Sequence, residues 1–88
     1  MDVIFRKDKK TKEIIAFIPE AIVNYGNILC YVHVGQHSEA SLHYYWDTVK
    51  ATEEEYKPLL KELQVIYNDE TLIVKNRLNM DKLRKSWN

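Results

Sequence analysis

Thr52-Glu-Glu-Glu55-Tyr56-Lys-Pro58-Leu59-Leu60-Lys-Glu-Leu63-Gln-Val-Ile66 is the longest periodic stretch of the chain, and it reads as an amphipathic helix. Tyr56, Leu59, Leu60, Leu63 and Ile66 recur at helical spacing, which lines them along one face. Thr52 and Glu55 form a capping box, in which each side chain accepts from the backbone amide of the other. Three glutamates in the first turn complement the positive end of the helix. Pro58 falls early, where a lost hydrogen bond is tolerable.

The flanking sequence is β-prone. Val3-Ile4-Phe5-Arg6 and Glu13-Ile-Ile-Ala-Phe-Ile18 surround the charged connector Lys7-Asp-Lys-Lys-Thr-Lys12, the pattern of an antiparallel hairpin with a long polar turn. Pro19 stops the second run, and Asn24-Tyr25-Gly26-Asn27 makes a loop tolerant of left-handed backbone angles. Ile28-Leu29-Cys30-Tyr31-Val32-His33-Val34 is a third strand. Alternation sets Ile28, Cys30, Val32 and Val34 toward the core and Leu29, Tyr31 and His33 away from it. Residues 36–50 are the least regular region and read equally as a loop or as a loop holding a short turn of helix after Ser38. Thr71-Leu-Ile-Val-Lys75 is a fourth strand, and Asn79 caps a final helical segment with Met80, Leu83 and Trp87 on one face. The expected fold is α+β: a single small two-layer domain of order β-β-β-(loop)-α-β-α. About four mainly antiparallel strands would carry one amphipathic helix on one face.

Eighty-eight residues bury only about 60–65% of the unfolded surface, which leaves little core to compensate a dry active site. Hydrophobic residues at 45% with 30% charged residues describe an ordered globular chain rather than a disordered one. Thirteen basic and thirteen acidic side chains cancel, so no overall field draws the chain to nucleic acid or an anionic membrane. The charges are unevenly placed: residues 13–70 hold three basic groups against ten acidic, and residues 71–88 five against one. One cysteine excludes an internal disulfide. With no apolar leader at the start and no run near the roughly 18 residues of a membrane span, the cytoplasm is the expected address.

Val3-Ile-Phe-Arg-Lys, Ile14-Ile-Ala-Phe-Ile-Pro-Glu20, Cys30-Tyr-Val-His-Val-Gly-Gln-His37 and Ala51-Thr-Glu-Glu-Glu-Tyr56 together resemble a group of small uncharacterised bacterial proteins. That group is met in Bacteroides-type genomes, on mobile or phage-like elements, and its most specific segment is C-x-x-H-V-G-Q-H. The resemblance implies a bacterial, stand-alone protein. It implies no activity, cofactor or partner.

Cys30, His33, His37 and His43 are the residue types of a zinc site. Strand geometry separates Cys30 from His33 by roughly 10 Å and turns them to opposite faces, so only His33, His37 and His43 can converge. The plainer reading is an inward Cys30 behaving as a small hydrophobe, with histidines in local hydrogen bonds. The same facing argues against a Cys30–His33 nucleophile pair. Consecutive Glu53, Glu54 and Glu55 fan around the helix axis and cannot act as a carboxylate pair. Lys75, Arg77, Lys82, Arg84 and Lys85 beside Trp87, joined by Arg6, Lys7, Lys9 and Lys10, would make a phosphate-tracking patch. His43-Tyr44-Tyr45-Trp46, if a loop, leaves rings exposed, and exposed rings mark partner sites; the even alternative is that two rings cover the core while two lie flat on the surface. The reading is therefore a non-catalytic protein-interaction module with no cofactor and no metal. It would bind through Tyr44, Tyr45 and Trp46 with His33 and His37 nearby, to another protein or to a second copy across an open sheet edge. A nucleic-acid accessory protein stands second, and a metal-binding protein through His33, His37 and His43 third.

Overall fold

A computed structural model of the chain describes residues 1–32 and 36–87. In chain order the elements are β1 (Asp2–Lys7), β2 (Ile14–Ile18), β3 (Asn27–Tyr31), β4 (His37–Ser41), α1 (Leu42–Asp47), β5 (Val49–Lys50), α2 (Glu53–Ile66), β6 (Ile73–Lys75) and α3 (Met80–Ser86). The fold is α+β as expected, but β4, α1 and β5 occupy the stretch between β3 and α2 that was expected to be a loop.

Strand β1 is an interior strand of the sheet, lying between β2 and the edge strands β5 and β6. It pairs antiparallel with β2, placing Ile4 opposite Phe17, and along its other edge it meets both β5 and β6. The β1–β6 pairing is parallel; the other pairings between these strands are antiparallel, and the order β4-β3-β2-β1-β5 runs across the sheet. The residues of β1 and β2 explain this placement. Val3, Ile4 and Phe5, like Ile15, Ala16, Phe17 and Ile18, are buried without alternation. A strand apolar at both parities can be stable only with both faces covered.

Both faces are covered. Val3, Phe5, Ala16, Ile18 and Tyr31 pack under α2 through Leu59 and Leu63. Ile4, Ile15, Phe17, Ile28 and Cys30 pack against Tyr45 of α1 and Leu83 of α3. The expectation of a single helix on one face of about four strands is thus exceeded. Among the described residues six short strands carry a helix on one side and two on the other. Leu29 and Tyr31, expected to point away from the core, belong to the α2 core instead. The strands that sequence reasoning passed over are β4, a polar edge, and β5, only two residues long.

The local signals for α2 and α3 hold. Thr52 Oγ1 accepts from the Glu55 amide at 3.3 Å and Glu55 Oε1 from the Thr52 amide at 2.9 Å. Tyr56 stacks flat on Phe5 with centroids 4.4 Å apart. Ile66, expected at the end of the stripe, is exposed instead. Asn79 Oδ1 caps α3 by accepting from Asp81 and Lys82 amides. In the β1–β2 turn, Asp8 Oδ1 accepts from the Lys10 and Thr11 amides, and Lys12 closes the turn with φ 65°. Among the described residues no helix is long and apolar enough to cross a membrane.

Glu55 also receives a hydrogen bond from Lys7 Nζ, and this bond, with the Thr52 amide, holds its carboxyl at about 2 instead of 4.5. A depressed carboxylate stabilises the fold above its unfolded pKa, and that contribution is lost as pH falls through the folded value. We expect Glu55→Gln, which keeps the capping geometry, to lower the urea midpoint at pH 7. The gap from the parent should close by about pH 2; an undiminished gap in acid would refute the assignment.

Candidate functional site

The Cys30 segment is divided by the fold. Cys30 is buried against Ile28 and Phe17, with its Sγ 3.3 Å from Ser38 Oγ on β4. His33, with Val34 and Gly35, lies outside the described residues. His37 is exposed at the start of β4, where its Nε2 and the Tyr67 hydroxyl share a 2.7 Å hydrogen bond. Its ring also lies 4.9 Å from that of Tyr31, on the α2 side of the sheet. His43 is exposed on α1, which packs on the opposite face. The structure therefore does not bring His37 and His43 together. Among the described residues no three His, Cys, Asp or Glu side chains are arranged to hold a metal.

The aromatic run corrects the sequence reading most sharply. Residues 36–46 are not a loop: they form most of β4 and α1. Ser41 Oγ accepts from the Tyr44 amide at 3.0 Å and starts α1. Helical spacing then distributes the rings around an axis instead of along a surface. Tyr45 is only 1% exposed and meets Phe17 edge-on at 5.0 Å. The Arg6 guanidinium lies 5.0 Å from the Tyr45 centroid, and burial pushes the Tyr45 hydroxyl above its usual range. Tyr44 donates to Asp8 Oδ2 at 2.6 Å. That bond, helped by the Thr11 and Lys10 amides, holds Asp8 at about 2, while burial and the Asp8 charge push Tyr44 up. Tyr44 pins the β1–β2 turn, Tyr45 is core, and Trp46, at 58% exposed, faces outward as His43 does.

A different surface gathers exposed apolar groups. In the β2–β3 connection Val23 is buried and forms a bridge with Trp87, its amide donating to the Ser86 carbonyl at 3.1 Å. The residues on either side of this anchor point outward, and Ile22 and Tyr25 are each 78% exposed. The Tyr25 ring packs on Trp87 at 4.8 Å, and the Trp87 indole N–H donates to the Asn27 carbonyl at 2.7 Å. Gly26 takes φ 84°, a left-handed angle that lets the chain turn back into β3. Glu20, Ile22, Lys82, Lys85 and Ser86 line a hollow of about 270 Å³ beside this pair. Across Lys82, a second hollow is bounded by Asp2, Lys75, Arg77 and Asn79.

The charges at this end are organised. Lys82 Nζ donates to Asp2 Oδ2 at 2.9 Å, which raises the Lys82 pKa, and Glu20 Oε1 accepts from the Asp2 amide at 2.7 Å. Asp2 is thereby ion-paired, whereas Glu20 accepts from a neutral amide and keeps its charge. Lys75, Arg77 and Lys85 have no ion-pair partner among the described residues. The expected basic patch is only half assembled, because Lys9 and Lys10 stand in the turn after β1, at the far end of that strand from Asp2. Sequence reasoning noticed Trp87 and the C-terminal cations but not Ile22 and Tyr25. Their signal was available in outline, as large apolar residues in a Gly/Asn loop on both sides of a valine that anchors it.

Comparison with protein-family models, with curated proteins and with solved structures returns no match.

Proposed function

We propose that this chain is a non-catalytic protein-interaction module of the bacterial cytoplasm, docking its partner at the Ile22–Tyr25–Trp87 end. The observation that supports this reading is the rigid presentation of exposed apolar side chains. Ile22 and Tyr25 project from a connection whose Val23 is buried, and Tyr25 leans on an indole that is itself hydrogen-bonded. A preordered aromatic loses little conformational entropy on binding, and tyrosine and tryptophan dominate the energetic centres of interfaces. A second copy is one partner of this kind, since β4 ends the sheet with its outer edge unpaired among the described residues. Nucleic acid stands second, favoured by Lys75, Arg77, Lys82 and Lys85 on the same end as Tyr25.

The test is photo-crosslinking in the host cell with a benzophenone amino acid at position 25, and at Val65 of α2 as an equally exposed control. We expect a discrete adduct from position 25 and none from position 65. An adduct of twice the chain mass would identify the partner as a second copy. Equal adducts from both positions, or none from 25, would remove the reading.

A further inference from the structure

We infer that the Tyr25–Trp87 end takes an acidic polypeptide segment carrying one apolar anchor side chain, an inference that rests on this end being the docking surface. The hollow beside Ile22 is about 270 Å³. That is below the roughly 300–1,000 Å³ of small-molecule pockets, and its single aliphatic wall suits one side chain better than a whole ligand. Its rim is cationic. Across this hollow and its neighbour, Lys75, Arg77, Lys82 and Lys85 outnumber Asp2, which Lys82 pairs, and Glu20, which accepts from the Asp2 amide and keeps its charge. Lys85 on one side and Lys75 and Arg77 on the other are left to meet a partner's negative charge. Complementary charge of this kind sets both the partner and the rate of encounter.

The extent of the cationic surface selects a peptide over nucleic acid. The turn lysines are at the other end of β1, so the cationic track does not continue past the α3 end. A long polyanion would extend beyond the cations that border the two hollows. A short acidic segment can stay within the patch.

The test is fluorescence anisotropy of the full chain with three labelled probes at low and high salt. These are an Asp/Glu-rich peptide with a central Phe, the same peptide with Lys in place of the acids, and mixed-sequence single-stranded DNA. We expect the acidic peptide to bind, with affinity falling as salt rises. Lys85→Glu and Tyr25→Ala should each weaken it about tenfold. Both side chains are exposed, so neither variant removes core packing, and circular dichroism verifies their folding. Lack of acidic-peptide binding, or binding unaffected by Lys85→Glu, overturns the inference. Tyr25-dependent binding of the Lys-rich peptide overturns it while leaving the docking surface intact. Tighter binding of DNA overturns it in favour of nucleic acid. A crosslink from position 25 without acidic-peptide binding means that only the inference has failed.

Discussion

Leu83→Ala in α3 will destabilise the protein by about 2–5 kcal/mol, as will Leu63→Ala in α2. Both side chains are fully buried, one in each of the cores on the two faces of the sheet. Removal of either leaves a cavity that a short helix cannot collapse to fill. A chain of this length has a total stability of roughly 4–13 kcal/mol. The two sites share no core cluster, so their costs should add. The double variant is expected to be largely unfolded at 25 °C, and urea denaturation followed by circular dichroism will measure all three. If α3 were only a solvated tail, Leu83→Ala would be silent. A change below about 0.5 kcal/mol would therefore contradict the second core.

Neighbouring aromatics in α1 provide the other large effect. Tyr45→Ala should cost about 3–5 kcal/mol, in the range of buried aromatic truncations. It removes the edge contact with Phe17 and leaves Arg6 without the ring over which it lies. Trp46→Ala, one residue on, should stay within about 0.5 kcal/mol of the parent, as exposed substitutions usually do. The Trp46 ring touches Tyr45 edge-on at 5.1 Å but is mostly in solvent. Thermal melts of the two variants decide between a helix with one inward ring and a surface loop of aromatic anchors. Similar melting temperatures for both would favour the loop.

These expectations mark where sequence reasoning succeeded and where it stopped. The capping box at Thr52 and the Leu59–Leu63 stripe are contained in a single short segment, so local chemistry was enough to read α2. The same is true of Asn79 before α3 and of the charged turn between β1 and β2. The run His43-Tyr44-Tyr45-Trp46 was misread because its helix depends on Ser41 for a cap and on Phe17 for a place to bury Tyr45. Strand β4 reads His-Ser-Glu-Ala-Ser, without β-branched residues or apolar alternation, and it exists because β3 offers an edge. For the site, Trp87 and the C-terminal cations could be seen, but their meeting with Tyr25 spans more than half the chain.

From the amino-acid order alone, then, came the α+β class, the first hairpin, both capped helices and the neutral but uneven charge. Each of these depends on interactions within a few residues or on composition. Tertiary structure alone decided that β1 lies inside the sheet between β2 and both β5 and β6, that both sheet faces are covered, and that Tyr45 is core while Ile22 and Tyr25 are surface. Those outcomes depend on which distant segments share a face. Burial is a property of the assembled layers, and an isolated stretch of chain does not carry it.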